Sequence, residues 1–335
     1  MRVEKIESHT ICKGDSLQAY GTWKKPNVIV SDGPYGISGY DGDADTTDEL
    51  TEMYEPHIQA WTKHSVSSTT LWFWNTELGW AEVHPVLKKN GWLYRACNVW
   101  DKGISHCAGN TNTKTLRKFP VVTEVCVHYV RKPEFKLAGD DKLISAQGWL
   151  RSEWDRTGLP YSEANAACEV KNAATRKYLT SDHLWYFPPS PVFVKLVEYA
   201  NLNGKPEGKP YFSFDGKDVV NGPQWECIRA KFKCKAGVTN VWQEPAVRGS
   251  ERVKIDKKAI HPNQKPLRLM DRIIRASSDE GDVIWEPFGG LCSASIAARR
   301  LKREAYSAEI NSETYEYALK RSKDDIAGDI FYDES

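Results

Sequence analysis

A chain of 335 residues is long enough to hold one large α/β domain together with an inserted module. Its formal net charge of +1 gives no overall argument for a nucleic acid partner, so any basic groups that bind DNA must be concentrated locally. No segment reaches the roughly 18 apolar residues of a membrane span, and the N-terminus lacks the apolar core of a signal peptide. These observations predict a soluble, cytoplasmic protein without a membrane partner.

The eight cysteines give no indication of a metal site. None of them forms a Cys-x-x-Cys pair, and no cluster of His and Cys has the spacing of zinc ligands. We therefore expect reduced, mostly buried thiols and no bound metal.

Strands and helices alternate through the first 130 residues. Strands are predicted at 28–30, 69–74, 92–100 and 121–130, the last of them reversed as part of a hairpin. Helices are predicted at 47–61, where apolar residues recur at helical spacing, and at 77–89. This alternation indicates an α/β fold with a doubly wound, mostly parallel sheet.

The apolar run 28–30 stops at a tight polar turn, Ser31-Asp32-Gly33-Pro34-Tyr35-Gly36. A buried parallel strand that ends in such a turn places it at the sheet edge where ligands bind in open α/β sheets. Asp32 could accept one N–H of a planar amine, the carbonyl of Gly33 or Pro34 could accept the other, and Tyr35 could stack on the ring. The same residues also suit an ordinary turn, so the turn alone leaves both interpretations open.

From about 136 to 255, frequent proline and glycine interrupt the alternation, and one clear helix is predicted from Val192 to Leu202. Residues 201–260 carry 12 Lys and Arg against 7 Asp and Glu. A basic inserted region that reads DNA fits this composition, and a solvated, variable insertion is the alternative. The candidate DNA contacts are Arg229, Lys231, Lys233, Arg248 and Arg252, and a solvated surface position would explain any one of them equally well.

A second apolar strand, 283–286, ends in the segment Glu286-Pro287-Phe288-Gly289-Gly290, and a helical pattern follows it. Paired glycines let a backbone approach a ligand closely. A third strand, 305–308, ends at Glu309, which lies 20 residues beyond Gly289. An acid at this spacing can bind the ribose hydroxyls of an adenosine-containing cofactor, and by itself it fits a dinucleotide enzyme as well.

The segment His261-Pro262-Asn263-Gln264-Lys265-Pro266-Leu267 precedes a helix with one apolar face. Pro266 suits the first helical turn, whose exposed N–H groups can receive a carboxylate. This segment resembles the His-Pro-Thr-Gln-Lys-Pro segment of the β-class DNA amino-methyltransferases, and Asp-Gly-Pro-Tyr at 32–35 resembles their Asp-Pro-Pro-Tyr motif. The resemblance covers roughly residues 10–130 and 258–322.

The resemblance implies a Rossmann-like methyltransferase fold that binds S-adenosylmethionine. It places a catalytic domain at 1–135 and 256–335 and a target-recognition region at 136–255. The implied catalytic residues are Asp32, Gly33, Pro34 and Tyr35. The implied donor-binding residues are Asp15, His261, Asn263, Lys265, Glu286, Pro287, Phe288, Gly289, Gly290 and Glu309. Asp15 serves equally well as the N-cap of a short helix.

Three positions depart from the family pattern. Gly33 stands in place of a proline, Glu286 in place of an aspartate, and Cys292 where a glycine is usual. These changes leave room for a weakened or unusual donor pocket.

The activity implied by the resemblance is transfer of a methyl group from S-adenosylmethionine to N6 of a flipped-out adenine in double-stranded DNA. Two acceptors would hold the amine for direct in-line transfer, without a metal. Cytosine N4, an RNA or protein amide substrate, and a DNA-binding protein with a decayed donor pocket are the alternatives. The sequence leaves open a homodimer and a cognate restriction endonuclease, and the resemblance implies a prokaryotic or phage-type protein close to the nucleoid.

Overall fold

The computed structural model describes residues 1–37, 45–107, 114–136, 142–206, 208–249, 251–255, 258–260 and 263–326. The strands are β1 (Arg2–Ile6), β2 (His9–Lys13), β3 (Val28–Ser31), β4 (Thr70–Asn75), β5 (Trp92–Asp101), β6 (Thr123–Arg131), β7 (Glu134–Lys136), β8 (Leu143–Ser145), β9 (Val241–Gln243), β10 (Lys254–Ile255), β11 (Lys258–Ala259), β12 (Val283–Glu286) and β13 (Glu304–Glu309). The α-helices are α1 (Ser16–Ala19), α2 (Leu50–His64), α3 (Glu77–Lys89), α4 (Ala146–Thr157), α5 (Tyr161–Ala167), α6 (Ser190–Asn203), α7 (Gly222–Glu226), α8 (Leu267–Ser277), α9 (Ser293–Arg300) and α10 (Ser312–Ile326).

The chain divides into two compact units, residues 1–131 with 231–335 and residues 132–230. The larger unit contains a nine-stranded sheet in the order β1-β2-β13-β12-β3-β4-β6-β5-β9. The five strands from β2 to β4 in this order are parallel to one another, whereas β6 is antiparallel to both β4 and β5. The predicted doubly wound, mostly parallel sheet is therefore confirmed, and so is the reversal of β6. Strand β1, which is antiparallel to β2, is a second reversed strand that the sequence did not predict.

Side chains of the central strands alternate between two apolar layers. Ile29 of β3 and Phe73 of β4 pack with α2 and α3, whereas Val30 of β3 and Trp72 of β4 pack with α8 and α9. Because both faces are covered, these strands read as continuous apolar runs in the sequence. The predicted apolar face of α8 is also confirmed, since all four of its residues are buried, namely Leu267, Met270, Ile273 and Ile274.

The smaller unit has its own core. Helices α4 to α7 and the β7–β8 hairpin surround buried aromatic side chains, among them Trp149, Trp154 and Trp225. The sequence predicted one helix here, near α6, and placed the inserted region at 136–255. Residues 231–255 instead pack with the larger unit, because β9 pairs with β5 and Lys231 binds two carboxylates beside β12.

Within the part of the chain that the structure describes, no helix is both long enough and apolar enough to cross a bilayer.

Candidate active site

The polar turn after β3 lies at the carboxyl edge of the sheet. Because β6 is antiparallel to β4, the first residues of β6 reach the same edge, and they include Glu124. Lys265, just before α8, lies between the two acids, with its Nζ atom 2.8 Å from Asp32 Oδ1 and 3.3 Å from Glu124 Oε2. Three residues that are far apart in the sequence therefore form one cluster, which we call the Asp32 cluster.

Tyr35 completes this cluster. Its hydroxyl lies 3.0 Å from Asp32 Oδ1 and 3.0 Å from Glu124 Oε2, so it can donate to either carboxylate. Its side chain is buried, and Lys265 Nζ lies 5.0 Å from the ring centroid. Stacking on a flipped base, which the sequence predicted, would therefore require the ring to leave this position.

The charges of the cluster are balanced, although Glu124 and Lys265 are buried and Asp32 is partly buried. Burial opposes ionisation of Glu124, but Lys265 and Lys102 outweigh it and hold the pKa of Glu124 below its usual value. Burial likewise opposes the ammonium of Lys265, but Asp32 and Glu124 outweigh it and raise the pKa of Lys265. Both groups are consequently charged at neutral pH, and burial with the neighbouring carboxylates raises the pKa of Tyr35 so that it stays a hydrogen-bond donor.

The two contacts to Asp32 use the same oxygen. Lys265 and Tyr35 both bind Oδ1, and no described residue binds Oδ2. The carbonyl of Pro34 already accepts from Asn75 Nδ2 at 2.9 Å and from Tyr54 Oη at 3.0 Å. Because a carbonyl oxygen has two lone pairs, Gly33 is the remaining candidate for the second acceptor.

The packing of Phe288, in the loop after β12, explains why position 33 is a glycine. A Cβ atom at position 33 would lie 2.6 Å from ring carbons of Phe288 and 2.7 Å from Tyr54 Oη. A proline, which the family carries here, does not fit this packing. The close approach also shows that the turn after β3 and the loop after β12 touch each other.

Glu286, the last residue of β12, binds the start of α9. Its carboxylate accepts from the backbone N–H groups of Ala294 at 2.9 Å and Ser295 at 2.8 Å. The positive end of a helix favours a carboxylate at this place. Burial nevertheless raises the pKa of Glu286 to about 7. In this structure the side chain fixes the loop that connects β12 to α9.

The two glycines of this loop lie against β13. Gly289 N donates to Ala308 O at 2.7 Å, and Gly290 N donates to Glu309 Oε2 at 2.7 Å. The other Glu309 oxygen accepts from Asn311 N at 2.7 Å, and burial raises the pKa of this acid. A Cβ atom at Gly289 would lie 2.9 Å from Ala308 O, so glycine permits this contact.

Cys292 occupies the position where the family usually has glycine, and its backbone shows why. Its φ angle is 57°, in the left-handed region that glycine adopts without strain. The side chain is fully buried, with Sγ 3.4 Å from Ser307 Oγ. The cysteine therefore keeps the family's turn in a strained backbone conformation.

Asp15 lies beside Glu309, because Gly14 N donates to Glu309 O at 2.9 Å. Its side chain accepts from Leu17 N at 2.8 Å and caps α1. The N-cap interpretation is confirmed, and a contact with the donor stays a prediction. We call the row formed by Asp15, Gly289, Gly290 and Glu309 the donor edge.

The segment before α8 is described in part, and its contact with the donor stays a prediction. His261 and Pro262 lie outside the described residues, and Asn263 O accepts weakly from Lys265 Nζ at 3.4 Å. The first N–H of α8, at Leu267, donates to Glu251 Oε1 at 2.7 Å, so a carboxylate of the chain already occupies it. Lys265, which the sequence placed at the donor, lies in the Asp32 cluster.

Most of the predicted DNA contacts bind acids of this chain. Arg229 pairs with Glu226 at 2.6 Å within the smaller unit, and Lys231 lies 2.7 Å from Asp282. Lys233 binds Asp279. Arg248 donates to Ser105 Oγ at 3.0 Å, and burial lowers the pKa of Arg252. Of the positive charges in residues 201–260, those of Lys231 and Lys233 are thus paired with acids outside this range.

The sequence missed Glu124, Lys102, Tyr54 and Asn75. For Glu124 a signal exists, because an acid within the otherwise apolar run 121–130 must be paired when the strand is buried. Lys102, Tyr54 and Asn75 contact the site only because the fold brings distant segments together, so no local pattern in the sequence marks them.

Comparisons with known proteins identify the family of this chain. A family model described as DNA methylase (N6_N4_Mtase) matches residues 27–320. The type II methyltransferase M2.DpnII of Streptococcus pneumoniae is 42% identical over 129 residues, which is 38% of this chain and 41% of that protein. The DNA adenine methyltransferase YhdJ of Escherichia coli (strain K12) is 40% identical over 82 residues, 24% of this chain and 26% of that protein. The chain therefore spans about a quarter to two-fifths of the curated relatives it matches.

Two solved structures share the fold. PvuII DNA methyltransferase (cytosine-N4-specific) gives a TM-score of 0.51 at 10% identity and covers 100% of this chain and 92% of that chain. The complex of M1.HpyAVI with SAM gives a TM-score of 0.50 at 13% identity and covers 93% of this chain and 98% of that chain. These likenesses confirm the predicted Rossmann-like methyltransferase fold.

Proposed function

Because the chain belongs to the DNA methylase family, we propose that it transfers a methyl group from S-adenosylmethionine to N6 of an adenine in duplex DNA. The adenine target is supported by YhdJ, whose name specifies adenine. One observation carries the proposal: the turn that bears Asp32 touches the loop that leads to the donor edge, through Gly33 and Phe288. An amine acceptor and a cofactor loop thus meet at one sheet edge.

The donor edge has the chemistry that an adenosine-containing cofactor needs. Each Glu309 oxygen accepts one backbone N–H and keeps further lone pairs, so the carboxylate can also bind ribose hydroxyls. Gly289 and Gly290 present backbone without side chains beside this acid. When bound, S-adenosylmethionine supplies an electrophilic methyl group on a sulfonium.

The Asp32 cluster then orients the amine. Lys265 and Tyr35 hold Oδ1, so Oδ2 is directed to accept one N–H of the base, and the carbonyl of Gly33 accepts the other. Two acceptors favour a pyramidal nitrogen whose lone pair is available for attack. The amine nitrogen must give up one proton when it is methylated, and Asp32 is placed to receive it.

The test uses the purified full chain, S-adenosylmethionine and unmethylated plasmid DNA, with nucleosides analysed by mass spectrometry after digestion. We expect N6-methyladenine from the wild type and from Glu316→Ala, which removes an exposed carboxylate on α10. Asp32→Ala should lower the rate at least 1000-fold while calorimetry shows unchanged donor binding. Equal rates for Asp32→Ala and the wild type would refute the assignment of Asp32.

The assay also separates the alternatives. N4-methylcytosine would keep the mechanism and change the target base. No modified nucleoside, together with no heat of donor binding, would indicate a decayed donor pocket, for which the departures at Glu286 and Cys292 are the motivation. Donor binding without DNA methylation would direct the search to RNA or protein amides. A homodimer, a cognate restriction endonuclease, and a cytoplasmic location near the nucleoid stay predictions.

A further inference from the structure

The segment between β5 and β6 lies at the same sheet edge as Asp32. Since β4 is parallel to β3 and antiparallel to β6, and β6 is antiparallel to β5, strand β5 ends at the edge where β3 ends. The structure describes residues 102–107 and 114–122 of this segment, and we call these residues the β5–β6 loop. The loop leads directly into Glu124 of the Asp32 cluster.

The loop is strongly basic. Between Asp101 and Glu124 the sequence has no Asp or Glu, and it has four Lys or Arg, namely Lys102, Lys114, Arg117 and Lys118. Lys102 binds Glu124, but Arg117 and Lys118 are exposed. A further cation joins the loop from another segment, because Arg248 donates to Ser105 Oγ at 3.0 Å. In a chain with net charge +1, this is a local concentration of positive charge.

The same loop exposes large apolar side chains. Phe119 is 94% exposed and Ile104 is 78% exposed, the first of them next to Lys118. Apolar groups this exposed beside cations are typical of a binding surface rather than of a core. Pro120 restricts Phe119 to extended backbone conformations, which reduces the entropy lost when the ring is immobilised.

On the basis of the proposed function, we propose that the β5–β6 loop binds the DNA next to the target base, with Arg117 and Lys118 on phosphates and Phe119 inserted into the base stack. A base that is methylated on its exocyclic amine must leave the duplex, which costs stacking and pairing energy. Apolar side chains inserted between base steps stabilise such distorted DNA. The loop brings cations and an exposed ring to the edge where Asp32 would meet the flipped base.

The phosphate contacts are tested by the salt dependence of DNA binding. The affinity of the full chain for a labelled 30-base-pair duplex is measured by fluorescence anisotropy at several salt concentrations. Each lost phosphate contact reduces the slope of log affinity against log salt by about 0.9, so Arg117→Gln/Lys118→Gln should reduce it by about 1.8. The charge-matched control Lys320→Gln/Lys323→Gln, on α10, should leave the slope unchanged.

The inserted ring is tested by methylation rates. Phe119→Ala should lower the rate on intact plasmid at least tenfold and the rate on the same plasmid after heat denaturation less than threefold, because unpaired bases need no extrusion. The control Val3→Ala removes an exposed apolar side chain on β1, at the opposite end of the sheet, and should change neither rate. Unchanged donor binding by calorimetry shows that the variants are folded.

The outcomes separate this inference from the proposed function. If the wild type methylates DNA but the salt slope of Arg117→Gln/Lys118→Gln equals that of the wild type, the loop does not bind phosphates and the inference is wrong. If Phe119→Ala lowers the rate by the same factor on intact and on denatured plasmid, or lowers neither rate, the ring does not enter the base stack. A wild type that neither binds nor methylates DNA overturns the proposed function as well.

Discussion

The Asp32 cluster and the donor edge lie on the same sheet edge and are held together in different ways. In the cluster, two carboxylates and two ammonium groups bind each other through their side chains. At the donor edge, carboxylates of Glu286 and Glu309 bind backbone N–H groups, and glycines allow close backbone contacts. The cluster therefore depends on charge balance, whereas the donor edge depends on backbone conformation.

This difference has a consequence for substitutions. Removing one charge from a buried, balanced cluster leaves another charge without a partner, which is strongly destabilising. Changing a side chain that caps a helix or occupies a turn lowers the free energy of unfolding by a smaller amount. Substitutions in the two regions should accordingly differ in size and in pH dependence.

The largest effect is expected for Lys265→Met, which removes the ammonium between Asp32 and Glu124. Asp32 then loses its ammonium partner while Glu124 keeps Lys102, and the free energy of unfolding should fall by about 3–5 kcal/mol at pH 8. The loss should shrink toward pH 5, because without Lys265 the pKa of Glu124 is held down less and this carboxylate can take up a proton. Urea denaturation at both pH values measures it.

Lys231→Met is the matched control, because Lys231 binds Asp279 and Asp282 at a partly exposed position. The free energy of unfolding of Lys231→Met should fall by about 1 kcal/mol or less. Adding Asp32→Asn to Lys265→Met should recover part of the stability, since it removes the carboxylate that has lost its ammonium, whereas Glu124 keeps Lys102. A Lys265→Met variant as stable as the wild type would show that the cluster is not held by charge balance.

A smaller effect is expected from Glu286, because burial raises the pKa of this residue to about 7. Because this pKa lies above that of an unfolded glutamate, the folded chain binds more protons than the unfolded chain between about pH 4.5 and 7. The contribution is present below the unfolded pKa and is lost as the pH rises toward 7. The wild type should therefore lose up to about 3 kcal/mol between pH 4.5 and 8 from this group.

Because the amide of Glu286→Gln cannot titrate, the free energy of unfolding of this variant should depend less on pH than that of the wild type. Its absolute stability should be lower, because an amide binds two N–H groups less well than a carboxylate does. The free energy of unfolding of both proteins is compared at pH 5 and pH 8. Glu316→Gln, at an exposed position on α10, should retain the wild-type slope. Identical slopes for Glu286→Gln and the wild type would mean that Glu286 does not titrate in this range.

Much of the sheet edge could be predicted from the sequence, because local chemistry determines it. Apolar runs that stop at Gly and Pro marked the ends of β3 and β12, and the spacing from Gly289 to Glu309 marked the end of β13. These features depend on a few consecutive residues. The positions of Asp32 and Glu309 at one sheet edge follow directly from parallel strands.

The pairing of Asp32, Glu124 and Lys265 could not be predicted in this way. These residues come from the turn after β3, from β6 and from the segment before α8, and only the strand order brings them together. The position of residues 231–255 was missed for a similar reason, since it depends on β9 pairing with β5 and on ion pairs to Asp279 and Asp282. Local patterns carry no information about such long-range partners.

The smallest effect concerns the backbone at Cys292, and a pair of substitutions isolates it. Ala and Gly both remove the buried thiol, but a Cβ atom at a φ angle of 57° is strained by roughly 1–2 kcal/mol. Cys292→Gly should therefore be more stable than Cys292→Ala by about 1 kcal/mol in urea denaturation. Cys12, buried in strand β2, gives the reference, because there Gly should be less stable than Ala by about 0.5–1 kcal/mol. The same order at both sites would show that the backbone at position 292 carries no such strain.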